Sequence, residues 1–276
     1  MDLPADSHVH SEWSWDAFDG SMERTCARAA AIGLSAVAFT EHADYTAWFS
    51  SAIGEYPQLA QFATADHVVQ PPRFDAPAYL DCLERCRAAF PELRIISGVE
   101  LGEPHWHAEA VATLIGSGRF ERVLASVHNL PNGQYFSEPE ELFSHRPAAE
   151  VVHEYLAEAV RMIASCDAFS VLAHIDYPVR VWPRKLGPFD PGEFEESFRH
   201  VLRTLAGTER ILEVNTRVPL SDLVVDWWRD EGGRAVTFGS DAHEPSSLAA
   251  GFQEAVAMVE NAGFRRGQHP YDVWRR

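Results

Sequence analysis

The stretch DSHVHSEWSWD, residues 6–16, crowds Asp6, His8, His10, Glu12 and Asp16 into eleven positions. In a strand, residues i and i+2 project to the same face, so His8 and His10 point together with Asp6 behind them. Two imidazoles at that spacing make a clamp for a cation such as Zn, Fe or Mn. An isolated H-x-H pair is a weak signal, but later segments support this one. FTEHAD supplies His42, SGVELGE supplies Glu100, ASVHN supplies His128, LAHID supplies His174, and FGSDAHE supplies Asp241 and His243 at the same i, i+2 spacing. Counting Asp16, six histidines and three carboxylates stand at or just after the ends of apolar runs. Packing gives no reason to put polar groups at so many strand ends, because burying them unpaired is costly. A polynuclear metal site does.

The elements that must position these residues are seven strand-like runs, at 5–10, 35–42, 94–101, 122–129, 170–176, 211–215 and 235–241. Helical patterns alternate with them at 20–32, 77–90, 104–117, 147–165, 191–206, 219–231 and 245–262. Such alternation predicts a parallel sheet flanked by helices. An open sheet concentrates its site at one switch point, whereas a barrel builds it from all the C-terminal strand ends. Every run here ends in a polar residue, which favours closure. The expected fold class is α/β, a closed seven-stranded (β/α)7 TIM-like barrel. Residues 43–76 form a long excursion with weak periodicity, read as a lid or substrate loop or else as a plain surface insertion. No repeat or linker divides the chain, so one domain over 1–276 is expected.

The formal charge of −18, from 41 acidic and 23 basic side chains, argues against a nucleic-acid partner, which needs a basic face. It does not exclude an anionic substrate held beside bound cations. Cys26, Cys82, Cys86 and Cys166 contain no C-x-x-C pair, and Cys82 and Cys86, four apart in a helical pattern, read as packed thiols. The start MDLPADSH lacks a signal-peptide pattern, and no apolar run approaches the roughly 18 residues of a membrane span. A cytoplasmic protein without membrane contact is expected. The sequence carries no signal for oligomeric state.

Taken in order, DSHVHSEWSWD, FTEHAD, GVELGE, SVHN, LAHIDYPVR, LEVNT and FGSDAH resemble the polymerase and histidinol phosphatase (PHP) superfamily of metal-dependent phosphoesterases, most closely its histidinol-phosphatase branch. The resemblance spans almost the whole chain and implies the PHP fold, a distorted seven-stranded barrel. It also implies a three-metal centre of Zn, Fe or Mn. His8, His10 and Asp241 would hold one ion; Glu100 would bridge it to a second, completed by His128 and His174; Asp16, His42 and His243 would hold a third. Some family members carry histidine where Asp16 stands. Asp241, Glu100 and His243 are the implied catalytic residues. The implied activity is hydrolysis of a small phosphate monoester, with L-histidinol phosphate the leading substrate, through a water that two cations share and acidify. Alternatives are a phosphodiesterase or nucleotide phosphatase using the same centre, or a non-catalytic PHP binding module.

Arg180 and Arg217 lie just beyond strand ends, where the family tends to place basic residues, and are expected to clamp the phosphate. Asn215 is a further substrate-contact candidate. Asp6 and Asp176 are expected to orient ligand histidines, and Glu213 reads as a contact or a buried hydrogen-bonded carboxylate. Glu103, beside Pro104, reads as a general acid or substrate contact, or else as a helix N-terminal carboxylate. A second H-x-H pair, His105 and His107, opens a helical pattern in which such residues diverge, so both are left out of the site. His67, His145, His153, His200 and His269 lack strand-end context. Trp227 and Trp228 read as the apolar face of a helix rather than an aromatic substrate wall.

Overall fold

Parallel strands covered by helices are buried on both faces and therefore read as near-continuous apolar runs. The computed structural model, which describes residues 3–276, turns the seven runs into β1 Asp6–Val9, β2 Ala36–Ala43, β3 Arg94–Gly102, β4 Arg122–Ser126, β5 Val171–Leu172, β6 Ile211–Asn215 and β7 Ala235–Gly239. They pair in sequence order, all parallel, and Asp6 of β1 meets Phe238 of β7. The barrel is closed. Its seam is the distorted part: β1 is short, its register against β2 shifts between Asp6 and Val9, and Trp274–Arg275 adds antiparallel to the start of β7 where β1 does not reach.

Among the described residues, eight α-helices surround it: α1 Met22–Ile32, α2 Ala76–Ala89, α3 Ala108–Ser117, α4 Pro139–Phe143, α5 Ala148–Ser165, α6 Glu195–Ala206, α7 Asp222–Asp230 and α8 Phe252–Asn261. Local chemistry fixes several ends. Ser21 and Asp75 cap α1 and α2 by accepting backbone N–H bonds, and Gly33 closes α1 with φ 73°. The apolar faces of α5 to α8 pack with β4 to β7 in the largest core cluster. Both tryptophans of α7 belong to it, and Trp228 Nε1 donates to the Ala235 carbonyl at 3.1 Å. Cys26, Cys82 and Cys86 pack between α1 and α2, and all four cysteines are free and buried.

Several boundaries differ from the sequence reading. The patterns at 104–117, 191–206 and 245–262 begin their α-helices only at Ala108, Glu195 and Phe252, because the proline-led segments before them form tight turns instead. Apolar periodicity does not separate such a turn from a first helical turn. The strands before His128 and His174 stop at Ser126 and Leu172, so both histidines stand in loops. A hairpin, Leu130–Asn132 with Tyr135–Ser137, turns at Asn132-Gly133, and it was not anticipated although Asn-Gly is a strong hairpin signal. The 43–76 segment carries an antiparallel ribbon, Trp48–Phe49 with Val68–Val69. It is tied to α4: Ser51 donates from N and Oγ to Glu141 at 2.8 and 2.6 Å, and the Tyr56 hydroxyl donates to Glu140 at 3.1 Å. Among the described residues, no helix is long and apolar enough to cross a membrane.

Gly239, the last residue of β7, shows how closely the sheet approaches the site. A Cβ there would lie 2.1 Å from Glu213 Oε1 and 2.6 Å from the Cβ of His8. Gly239→Ala is therefore expected to cost about 1–3 kcal/mol, as overpacking does. A urea-unfolding midpoint unchanged from wild type would refute this close approach.

Candidate metal centre

His8 and His10 lie at the end of β1, fully shielded from solvent, with their Nε2 atoms 3.0 Å apart. The hydrogen bonds fix which nitrogens are free. His8 Nδ1 lies 2.6 Å from Glu213 Oε1 and donates to it. Ser14 Oγ gives its only proton to Glu41 at 2.6 Å, so it accepts from the His42 backbone N–H at 3.0 Å and from His10 Nδ1–H at 2.9 Å. That commits the His10 Nε2 lone pair to face Asp241 Oδ1 at 3.3 Å and Glu100 Oε2 at 3.5 Å. A lone pair pointing at two carboxylates in a dry interior is repulsive unless a cation lies between them. The donor set fits one.

The remaining donors close around this point. His174 Nε2 is 2.7 Å from Glu100 Oε1, and His128 Nε2 is 3.4 Å from the same oxygen. His42 Nδ1 is 3.1 Å from Glu100 Oε2, while its Nε2 is 3.5 Å from Asp16, which in turn lies 3.2 Å from His243 Nε2. Four overlapping triads could each hold an ion: His8, His10 and Glu100; His8, His174 and Asp241; His42, Glu100 and His128; His10, His42 and His243. All nine donors anticipated from the sequence are thus brought together. The backbone bends to present them, since His174 and Asp241 have φ of 21° and 53°. Strand alternation therefore does not explain why Asp241 and His243 meet. A turn in a sparsely populated backbone region does.

Burial pushes the Glu100 carboxyl up, but His8, His42 and His128 around it hold it well below the ordinary carboxylate range. Burial likewise raises Asp241 and Asp16, and cationic neighbours outweigh it, Arg180 and His8 for Asp241 and His42 and His243 for Asp16. All three are anionic donors at neutral pH. Burial, with His42 and His243 close by, holds His10 well below its usual value, and burial with Arg180 lowers His174 to about 4. At His8, His42 and His128 burial acts downward too, but facing carboxylates win and favour a proton. A metal ion competes for those same nitrogens.

Other residues take places that the sequence did not indicate. Asp6 contacts no ligand imidazole. It accepts from Ser240 N and Oγ at 3.0 and 2.5 Å and from Ala249 N at 2.9 Å, fastening the β7 loop to β1. Asp176 is buried beside Arg180 and pushed up to about 6 by burial. The orienting carboxylate is instead Glu213, which holds the His8 ring and accepts from the His174 N–H at 2.8 Å. Glu41 and Asp44, flanking His42 in FTEHAD, were also missed. Glu41 anchors Ser11 and Ser14, and Asp44 Oδ1 lies 3.4 Å from His128 Nδ1. Acids inside or just after an apolar strand were the available signal, but their partners come from distant loops.

Glu103 does not start a helix. With φ 40° and no exposure, it accepts from the N–H groups of His128 and Asn129 at 2.6 and 2.7 Å, shaping that loop. Asn215 is buried; its amide donates to Glu213 at 3.1 Å, and its oxygen accepts from Arg217 N at 3.0 Å. His105 pairs with Glu158 at 2.6 Å and His107 with Thr46 at 2.9 Å, away from the donor cluster. His67, His145, His153, His200 and His269 are exposed.

Seven of the nine donors, all but His8 and His10, line a cavity of about 500 Å³ that both arginines also line. Arg180 pairs with Asp241 and lies 4.9 Å from the Tyr177 ring centre. Arg217 Nη1 is 2.8 Å from His243 Nδ1 and 3.5 Å from Asp241 Oδ1. Trp15 and Trp48 form part of the wall, the latter from the 43–76 segment.

The sequence profile of the PHP domain matches residues 6–217. The chain belongs to the PHP domain family. This PHP protein is 26% identical over 268 residues to a Lactococcus lactis protein named histidinol-phosphatase, covering 94% of this chain and 91% of that one. It is also 26% identical over 267 residues to a Clostridium acetobutylicum protein named probable histidinol-phosphatase, covering 94% of each. Among solved structures, the Lactococcus lactis histidinol phosphate phosphatase, crystallised with zinc, L-histidinol and phosphate, superposes with a TM-score of 0.80 at 23% identity, covering 100% of this chain and 98% of that chain. That likeness establishes the shared fold.

Replacing Glu213 with Gln is expected to lower metal affinity roughly 10–100-fold, the usual effect of losing a carboxylate behind a ligand histidine. His10→Ala and Asp241→Asn should empty the centre further, while His107→Ala keeps wild-type metal content. Metal analysis of the four purified variants checks this, and full occupancy in Asp241→Asn would contradict the ligand set.

Proposed function

We propose that this PHP protein is a metal-dependent phosphatase that hydrolyses a small phosphate monoester, L-histidinol phosphate, to L-histidinol and inorganic phosphate. The observation that carries the reading is the buried His10 lone pair aimed at ionised Asp241 and Glu100, two carboxylates that line a cavity together with two arginines. The names of the relatives, and the ligands of the Lactococcus lactis structure, support the choice of substrate.

The donor set suits three divalent ions, Zn, Fe or Mn. His8, His10 and Asp241 would hold one, with Glu100 shared to a second at His128 and His174, and Asp16, His42 and His243 would hold a third. When bound, such ions neutralise phosphoryl oxygens and lower the pKa of a shared water towards neutrality. The protein's own part is to be ready beforehand. Glu213 and the Glu41–Ser14 pair fix the His8 and His10 rings, so no reorganisation is needed as charge develops. Arg180 and Arg217 can leave Asp241 for the phosphate oxygens, each offering parallel N–H donors. Glu100 is common to two triads, Asp241 belongs to one that shares His8 with one of them, and His243 links Asp16 to Arg217, which is why these three are assigned to catalysis. Asn215 positions Arg217 and Glu213 in this scheme. Residues 1–276 act as one PHP unit, with 43–76 supplying wall residues Trp48 and Leu59.

The test couples metal analysis to phosphate release from histidinol phosphate, AMP and bis(p-nitrophenyl) phosphate. Turnover of histidinol phosphate, lost on chelation and restored by metal, is expected; exclusive turnover of the diester defeats the reading. Arg180→Ala should lower kcat/KM roughly 100-fold with metal content retained.

A further inference from the structure

The metal centre sits at the C-terminal ends of the strands, and Arg122 opens β4 at the other end of the barrel. Two residues on, Leu124 packs inward with Val171, Ala173 and Ile211, while Val123 and Ala125 face the helices. Strand alternation therefore turns the Arg122 side chain inward as well. The preceding strands add short inward residues at this end, Ala36 and Ala38 of β2, packed with Ile96 of β3. Arg122 is 8% exposed, yet its side chain makes no hydrogen bond and no ion pair with any described residue, and its Nε is buried without a partner. Glu121, the acid that acts on it, is committed elsewhere. It accepts from Arg87 at 3.1 Å, from Arg94 at 2.7 Å and from the Ser97 N–H at 3.3 Å. Burial pulls the Arg122 guanidinium below its usual range and Glu121 opposes this, but an arginine keeps its proton in a protein. A charge held in this way is costly until an opposite charge joins it.

We propose that this barrel floor is a binding site for a small oxyanion, a carboxylate or inorganic phosphate, held by the Arg122 guanidinium. Nε and a terminal nitrogen of a guanidinium form a planar pair of donors that matches two oxygens of such a group. The surroundings favour an anion too. Residues 264–276 carry four arginines against one aspartate, in a chain whose net charge is −18. That segment lies at this end of the barrel: Ala5 N donates to the Pro270 carbonyl at 3.2 Å, and Trp274–Arg275 pairs with the start of β7. Arg94, which opens β3, stands there as well, its guanidinium 5.9 Å from the Tyr271 ring centre. Local positive charge of this kind raises the concentration of small anions at the mouth. The site is separate from the metal centre and does not depend on the phosphatase reading.

The test follows the thermal midpoint of metal-loaded wild type and Arg122→Met in phosphate, in acetate and in chloride, at equal ionic strength. Wild type is expected to gain about 5 °C over its chloride value at an oxyanion concentration roughly a hundred times Kd, and Arg122→Met to gain less by most of that amount. Phosphate reaching the metal centre shifts both proteins alike, so the difference between them is the reading. A larger difference in phosphate assigns the site to phosphate, and a larger one in acetate assigns it to a carboxylate; both support it. In chloride alone, Arg122→Met is expected to melt no lower than wild type, because it removes a buried charge and keeps an unbranched apolar chain. Crystals of wild type grown with each oxyanion give a reading that needs no variant: anion density within hydrogen-bonding distance of Arg122 Nε is expected. Only water at that position, or the same oxyanion response in both proteins, overturns the site. An equal gain in chloride would make it a site for any small anion and overturn the oxyanion assignment.

Discussion

The centre depends on electrostatic conflict held in place by covalent and hydrogen-bonded constraint. Ser14 is committed to Glu41, His10 Nδ1 is committed to Ser14, and the remaining His10 nitrogen must look at Asp241 and Glu100. In water these groups would turn apart. Inside a closed barrel they have nowhere to turn, and a cation resolves the repulsion. Binding of metal and integrity of the native strand ends are therefore one free-energy problem rather than two.

The scaffold meets that problem with devices outside the ligand set. Gly239 leaves room for Glu213 against His8, Asp6 ties β1 to the loop after β7, and Glu103 clamps the amides beside His128. Positive φ at Glu103, His174 and Asp241 places backbone strain at the rim, where the surrounding packing can hold it. The barrel wall is well buried and regular. Its irregularities gather where the chemistry is.

Around the cavity both signs of charge are present. Arg180 and Arg217 pair with Asp241, the Tyr177 ring stands 4.9 Å from Arg180, and the Tyr177 hydroxyl lies 3.4 Å from Glu138 just before α4. The ribbon of the 43–76 segment shares this outer wall through Trp48 and is fastened to α4 by Ser51 and Tyr56. The outer wall of the cavity is thus built from parts least regular in sequence, as is common in loops above a rigid frame.

Much was legible beforehand. The alternation of apolar runs with helical patterns specified a parallel closed sheet, because each run ended in a group with no use in a core. The nine donors could be named for the same reason. What the amino-acid order alone did not determine was which acids serve them: Glu41, Asp44, Glu103 and Glu213 find partners up to 205 positions away, as between His8 and Glu213. Nor did it determine where Asp241 and His174 turn, or that Asn215 spends its amide inside the wall. A residue's type and period are local and survive in a string of letters. Who faces whom across a barrel is decided only when the strands close, since closure, not spacing, brings those atoms within hydrogen-bonding reach.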